Sequence, residues 1–220
     1  MVDFAVARRT MVDCQVRPSD VTDLRIIAAM LDVPRELFVP LARRGIAYLD
    51  LDVPVTEAGT PRALLKPMVF AKLLQAAGIG EGDRVLDAGC ATGYSSAVLG
   101  KLAGTVVALE EDNGLAKTAT DTLAQVGAVN VTVANGPLAA GWEEDAPYDV
   151  IVLEGATEVA PTTLLSQLKE GGRLLAVVSR GPLGKATIYR MAGQNVTAQP
   201  LFDAAAPLLP GFAKPAAFVF

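Results

Sequence analysis

The sequence of 220 residues predicts an α/β fold: a doubly wound, mostly parallel sheet with helices on both faces and an N-terminal helical extension. The first sign is a series of short apolar runs from residue 84 onward, at 84–88, 105–110, 130–134, 148–153, 173–178 and 186–191, which read as buried strands. Amphipathic segments at 95–102, 114–126 and 162–168 alternate with them, the order that right-handed βαβ units impose. Composition agrees, since 51% of residues are hydrophobic and 20% charged, a core-rich balance that excludes disorder.

The segments before residue 84 supply the extension. Ser19 or Asp20 stands as an N-cap before the periodic apolar stretch 21–30, and Pro34 opens another short helical turn. Between residues 48 and 67 periodicity disappears while Pro54, Gly59, Pro61 and Pro67 accumulate, which predicts an irregular, ordered loop of the length that usually serves a function. A helix over 68–77 follows and ends at Gly78, and Gly80, Gly82 and Asp83 turn the chain into the first strand of the core. Residues 213–220 are apolar enough for a last strand. A single domain over 1–220 is expected, with the helical segment and irregular loop over 1–66 and a Rossmann-like core over 67–220.

Composition narrows the function. The net charge is −5 and the densest basic groups are pairs such as Arg8-Arg9 and Arg43-Arg44, so no basic field exists for phosphate backbones and nucleic acid is not an expected partner. Arg8, Arg9 and Arg17 are expected on solvated surface, and Trp142 and Tyr148 in packing roles. No apolar run reaches the roughly 18 residues of a spanning helix, and the start lacks a charged-then-apolar leader, so a cytoplasmic location away from membranes is expected. Cys14 and Cys90 are isolated thiols, with neither a disulfide framework nor zinc spacing. Histidine is absent, which excludes Ser-His-Asp and Cys-His nucleophiles and histidine-based metal sites; no metal is expected.

The segment Val85-Leu86-Asp87-Ala88-Gly89-Cys90-Ala91-Thr92-Gly93-Tyr94 sets an acid at a strand end and two glycines around a tight turn into a helix. Asp87, Gly89, Cys90, Ala91, Gly93 and Tyr94 are therefore candidate cofactor contacts, because glycine lets a ligand approach the backbone at the carboxyl edge of the sheet. Glu110, with Glu111 beside it, follows Gly89 by 21 residues and ends the next apolar run, where a doubly wound fold sets a carboxylate against ribose hydroxyls. The turn departs from G-x-G-x-x-G, since Ala91 and Tyr94 stand where that pattern needs glycine. S-adenosylmethionine carries no phosphate and suits this wider loop, with Asp87 facing its ammonium group. Glu154, just past the run 148–153, reaches the same edge by register, either as a contact to cofactor or substrate or as a solvated strand-end charge.

Beyond this loop the chain resembles the protein-L-isoaspartate O-methyltransferase family over most of its length. The resemblance rests on Ala29-Met30, Val33-Pro34-Arg35-Glu36-Leu37-Phe38-Val39-Pro40, Tyr48, Asp50, Pro54 and Pro67, then Gly141-Trp142, Ala146-Pro147-Tyr148-Asp149 and Gln167-Leu168-Lys169-Glu170-Gly171-Gly172-Arg173-Leu174, in order and at similar spacing. It implies a carboxyl O-methyltransferase using S-adenosylmethionine, whose acceptor is an isoaspartyl-containing protein or peptide, or another carboxylate, and whose role is protein repair. Such a nucleophile is already ionised at neutral pH and needs no general base, so no residue is assigned as catalytic.

Two segments depart from the family pattern. Where it has a Gln-Thr-Ile-Ser-type stretch bordering the acceptor, this chain has Arg62-Ala63-Leu64-Leu65 before Lys66-Pro67; Leu64, Leu65 and Lys66 are the acceptor-side candidates. Where the family has Gly-Asp-Gly beside adenine, this chain has Gly136-Pro137-Leu138, and Asn135 is a further candidate there. An S-adenosylmethionine-binding protein without turnover or with a different specificity is the alternative, and a nicotinamide-dependent oxidoreductase a more remote one.

Overall fold

The computed structural model describes residues 3–215 except 57–60, 182 and 194. Seven strands form one sheet in the order β5-β4-β3-β6-β7-β8-β9. They are β3 (Arg84–Ala88), β4 (Thr105–Glu110), β5 (Val131–Asn135), β6 (Tyr148–Thr157), β7 (Leu168–Arg180), β8 (Leu183–Ala192) and β9 (Asn195–Asp203). β3 through β7 run parallel, and β8 and β9 return antiparallel. β3 pairs with β4 on one side and β6 on the other, so the sheet order reverses at β3, and a crevice opens there at the carboxyl ends of the strands.

Side-chain alternation divides the core in two. Val85, Val106, Ala108, Val150, Val152, Leu175 and Val177 face one way, while Leu86, Val107, Leu109, Ile151, Leu153, Leu174 and Ala176 face the other. The first face packs on α1 (Phe4–Met11), α2 (Leu24–Asp32), α3 (Pro67–Ala77), α4 (Tyr94–Gly100) and α5 (Asn113–Gln125). The second is covered by α6 (Thr162–Leu165) and by Leu209 and Phe212 of the returning tail.

The expected elements are present, with corrected ends. Helix α2 begins after Asp23, whose carboxylate caps Arg25 N; Asp20 instead holds a left-handed conformation (φ 63°) that ends the preceding turn. The helix expected at 162–168 stops at Leu165, because Leu168 pairs with Tyr148 as the start of β7. β9 carries no apolar period because it is an edge strand, exposed along most of its length and interrupted by Pro200. The loop over 48–67 contains a two-residue ladder, β1 (Val53–Pro54) against β2 (Ala63–Leu64). Residues 213–215 are irregular, and the remainder of the strand expected at the end lies outside the described residues. Among the described residues no helix is long and apolar enough to cross a membrane.

Buried polar groups tie the N-terminal segment to the core. Arg8, expected on the surface, donates through Nε to Tyr48 Oη (2.9 Å) and through Nη2 to Glu36 (3.3 Å), and Tyr48 donates in turn to Glu36. Arg9 is exposed, and Arg17 pairs with Asp13. Tyr148 is a buried packing residue whose hydroxyl donates to Trp142 O at 2.6 Å. Arg35 is fully buried; its Nε donates to Ala47 O at 2.7 Å, its Nη2 to Leu65 O at 2.8 Å, and its guanidinium lies 4.6 Å from the Tyr94 ring centroid. Arg35→Met removes two bonds from a charged donor, each worth about 1.5–3 kcal/mol. Relief of the desolvated charge offsets part of this, and urea titration is expected to show a net loss of about 3 kcal/mol, with Arg9→Met unchanged as control.

Candidate functional site

The crevice beside β3 gathers acids. Asp87, near the end of β3, is fully buried, and its Oδ2 accepts from Ser95 Oγ (2.7 Å) and Ser96 Oγ (2.5 Å) in the first turn of α4, while Oδ1 has no partner. Burial, with Glu110 nearby, raises Asp87 to about 6 against the pull of the two serines and Arg62. Glu154 extends from β6 on the other flank. It is buried, not a solvated strand end, and its Oε1 is unpartnered. Desolvation first and the Asp87 charge second push its pKa well above the ordinary carboxylate range.

Glu110, at the end of β4, is the most fully bonded of the three. Its Oε1 accepts from Glu111 N (3.0 Å) and Asp112 N (3.1 Å), and its Oε2 from Ala91 N (2.8 Å) and Arg62 Nη2 (2.7 Å). Arg62 is only 4% exposed, and the same Nη2 donates to Gly89 O at 2.6 Å. The guanidinium thus lies on the glycine turn, bridging the loop before α3 to the β3–α4 connection.

The two turn glycines serve different neighbours. Gly89 has φ 88°, and a Cβ there would meet Arg62 Nη2 at 3.0 Å and Leu209 Cδ2 at 3.1 Å, so its bare face opens onto the crevice. Gly93 has φ 93°, but its Cβ position faces Leu123 and Ala119 at 3.1–3.3 Å, so its missing side chain makes room for α5. Gly155 on β6 lies against Leu209, where a Cβ would approach Cγ to 2.6 Å. Leu209 is held there by the tail, which bonds β6 through Ala156 N to Pro207 O (2.7 Å) and Leu209 N to Ala156 O (2.9 Å).

Between these groups remains a cavity of about 10 Å³, lined by Arg35, Leu64, Leu65, Tyr94, Ser95 and Glu154 among others. Arg35 Nη1, Tyr94 Oη and Glu154 Oε1 border it, none with a hydrogen-bond partner. The donor set suits the ammonium and ribose hydroxyls of S-adenosylmethionine, because unpartnered carboxylate oxygens beside a glycine shelf accept from cationic and hydroxyl donors. The space in this conformation does not suit it: about one water fits.

The crevice therefore unites Asp87, Gly89, Cys90, Ala91, Tyr94, Glu110 and Glu154 with Leu64 and Leu65. Cys90 is buried and its thiol pKa is raised by desolvation, so it fills space there. Glu111 is exposed, and Leu138 N donates to its Oε2 at 3.4 Å; Gly136 packs near Trp142. Asn135 Nδ2 donates to Glu110 O at 2.9 Å and so belongs to the frame of the β4 end. Lys66 caps α3, its backbone N–H donating to Asp52 at 2.8 Å. Sequence reasoning missed Arg35, Leu209, Ser95 and Ser96 as parts of the site, and read Arg62 only as a departure. The Ser95-Ser96 pair one turn after an acid was the visible signal; nothing local marks Leu209. Among the described residues no group of three His, Cys, Asp or Glu side chains is placed to hold a metal ion.

Comparison with known proteins fits this geometry. Residues 8–199 match the family described as protein-L-isoaspartate(D-aspartate) O-methyltransferase. Protein-L-isoaspartate O-methyltransferase 2 of Anaeromyxobacter sp. (strain Fw109-5) is 40% identical over 178 residues, 81% of this chain and 71% of that protein. The Methylorubrum extorquens (strain PA1) enzyme of the same name is 38% identical over 189 residues, 86% of this chain and 80% of its own length. A solved protein-L-isoaspartate O-methyltransferase superposes with a TM-score of 0.81 at 25% identity, covering 93% of this chain and 66% of that one. A Plasmodium falciparum structure named for the same enzyme, in complex with S-adenosyl-L-homocysteine, shares the fold at a TM-score of 0.74 and 18% identity, over 95% of this chain and 99% of that one. The match over 8–199 and the identities near two-fifths over more than four-fifths of the chain establish that this chain belongs to the protein-L-isoaspartate(D-aspartate) O-methyltransferase family.

Proposed function

We propose that this chain is a cytoplasmic carboxyl O-methyltransferase that transfers the methyl group of S-adenosylmethionine to the free carboxylate of isoaspartyl residues in proteins, with residues 87–94 as its donor loop. The observation that carries this reading is the trio of buried acids Asp87, Glu110 and Glu154 at the reversal of the sheet order, two of them with an unpartnered oxygen, in a chain whose relatives bear that enzyme's name. Those names favour a transferase over a nicotinamide oxidoreductase or a binding protein without turnover.

Asp87 would hold the donor's ammonium group and Glu110 its ribose hydroxyls, with the backbone of Gly89, Cys90, Ala91 and Gly93 and the ring of Tyr94 as the shelf. Glu111, Gly136, Pro137 and Leu138 would flank the adenine, and Glu154 would face the reacting end. The bound donor supplies an electrophilic methyl. The protein's part is alignment and exclusion of water, since the acceptor carboxylate is ionised at neutral pH without a base. Leu64, Leu65 and Lys66 would border the acceptor; Leu65 is buried and apolar, so the acceptor carboxylate loses a hydroxyl partner there.

The direct test is transfer of a labelled methyl group to an isoaspartyl peptide, with its aspartyl twin as control. Incorporation into the first alone is expected, and equal incorporation into both would reject isoaspartyl selectivity. Leu65→Ser is expected to raise incorporation by roughly fivefold or more, since one buried hydrogen bond contributes on the order of 1 kcal/mol.

The raised pKa of Asp87 gives a pH dependence. Near pH 5 the carboxyl, lifted to about 6, is mostly protonated and must lose its proton to receive an ammonium group. Affinity for S-adenosylhomocysteine, followed by calorimetry, is therefore expected to rise between pH 5 and 7 and level off above, with proton release in the acid range. Asp87→Asn should flatten the profile; a flat profile in the parent protein would remove Asp87 from ammonium binding.

A further inference from the structure

We propose that Arg62 is an internal latch on the donor pocket: its guanidinium occupies the place of the donor's ribose on Glu110, and S-adenosylmethionine binds by displacing it. This rests on the donor-site reading above and adds the residue that decides whether that site is open.

The geometry of the glycine turn carries the inference. Arg62 Nη2 is shared between Gly89 O at 2.6 Å and Glu110 Oε2 at 2.7 Å, so one nitrogen covers both the backbone shelf and the acid that faces it. Gly89 is in the left-handed region and its bare face meets this guanidinium and Leu209. At the carboxyl edge of the sheet a bare glycine face is where a ligand can approach the backbone, and at Gly89 that face is filled by a guanidinium from the loop before α3. What remains is about 10 Å³, far below what a nucleoside needs.

The closed arrangement is poorly satisfied, which suits a displaceable occupant rather than a permanent strut. Arg62 Nη1, Asp87 Oδ1 and Glu154 Oε1 are buried without hydrogen-bond partners while the latch is shut. Arg62 satisfies Glu110 and leaves the other two acids short of donors. A ligand carrying both hydroxyls and an ammonium group could satisfy Glu110 and Asp87 together, which one guanidinium does not. The backbone at Arg62 is anchored by the β1–β2 pairing, by Val55 N to Arg62 O (2.8 Å) and by Arg62 N to Thr56 Oγ1 (3.1 Å), and Arg43 Nη1 holds the same loop at Pro54 O (2.7 Å) and Thr56 O (3.1 Å). The backbone at Leu209 is likewise bonded to β6, so the part free to swing is the long Arg62 side chain, whose guanidinium can leave by rotamer change with the loop in place.

Calorimetric titration of the full chain with S-adenosylhomocysteine tests this without turnover. Arg62→Ala is expected to bind the probe tighter than the parent by roughly tenfold or more, the factor by which a closed population above about nine in ten lowers apparent affinity. Arg62→Gln, which keeps most of the length without the charge, should fall between them and supplies the comparison should the alanine variant not fold, as judged by thermal melting. Binding by the variants but not by the parent supports the latch in its strongest form. Equal or weaker binding in both variants, with the parent binding normally, overturns the latch and leaves the donor site in place. Absence of binding in all three proteins overturns the latch together with the donor-site reading.

Discussion

Glu110 is the junction on which the crevice depends. Its two oxygens accept from Glu111 N, Asp112 N, Ala91 N and Arg62 Nη2, so one side chain fixes the end of β4, the entry to α5, the glycine turn and the loop before α3. Asp112 in turn caps α5 through Leu115 N. Three of these four donors are backbone groups, with Ala91 N buried, and their bonds to Glu110 do not run through the fourth. The guanidinium is the one side-chain donor among them. In the proposed latch the frame of the donor site and the residue that shuts it thus share an acid, and the frame would keep its three backbone bonds on opening.

The charge balance around that acid explains why a cation belongs there. Asp87, Glu110 and Glu154 are all buried, and the buried arginines among them are Arg35 and Arg62. Arg35 is committed to Ala47 O and Leu65 O, and burial pulls its own pKa down. Glu110 takes Arg62. The remaining deficit of positive charge raises the other two acids, Glu154 well above the ordinary carboxylate range and Asp87 to about 6. An ammonium group set on Asp87 would meet that deficit, and the proposed linkage between pH and binding follows from the competition of that cation with the proton.

Much of this was legible in the sequence because the relevant signals are local. The strands β3, β4 and β6 declare themselves by aliphatic runs buried on both faces, and the glycine turn with Asp87 before it and Glu110 a strand later follows the doubly wound pattern. β9 was illegible because an exposed edge strand has no buried face to imprint a period. The role of Arg62 was illegible for a different reason: the 48 residues separating it from Glu110 are brought together by the sheet, and a charged residue in a loop is ordinarily read as solvated. Leu209 is the extreme case, since its place over Gly89 and Gly155 is set by tail-to-β6 backbone bonds that leave no residue pattern. Arg8 was misjudged likewise, and of the two readings open for Glu154 only the solvated one falls, because burial of a charge depends on partners supplied by other elements.

Two of the three departures from the family pattern bear on donor affinity. On the proposed reading, Arg62 introduces a competitor for Glu110, Leu65 would remove a hydroxyl from the acceptor side, and Pro137 would remove a carboxylate and a backbone donor from the adenine side. The first would lower the population able to bind the donor and the third the intrinsic affinity of that population, and apparent affinity is the product of the two. Both changes would weaken the resting grip on the donor while leaving in place Asp87, Glu110 and the glycine turn, which we propose hold its ammonium and ribose. Three buried carboxylates are costly to hold where nothing binds them. Set beside one displaceable guanidinium, they fit a donor site whose opening is controlled, and the proposed control lies in the loop that would also border the acceptor.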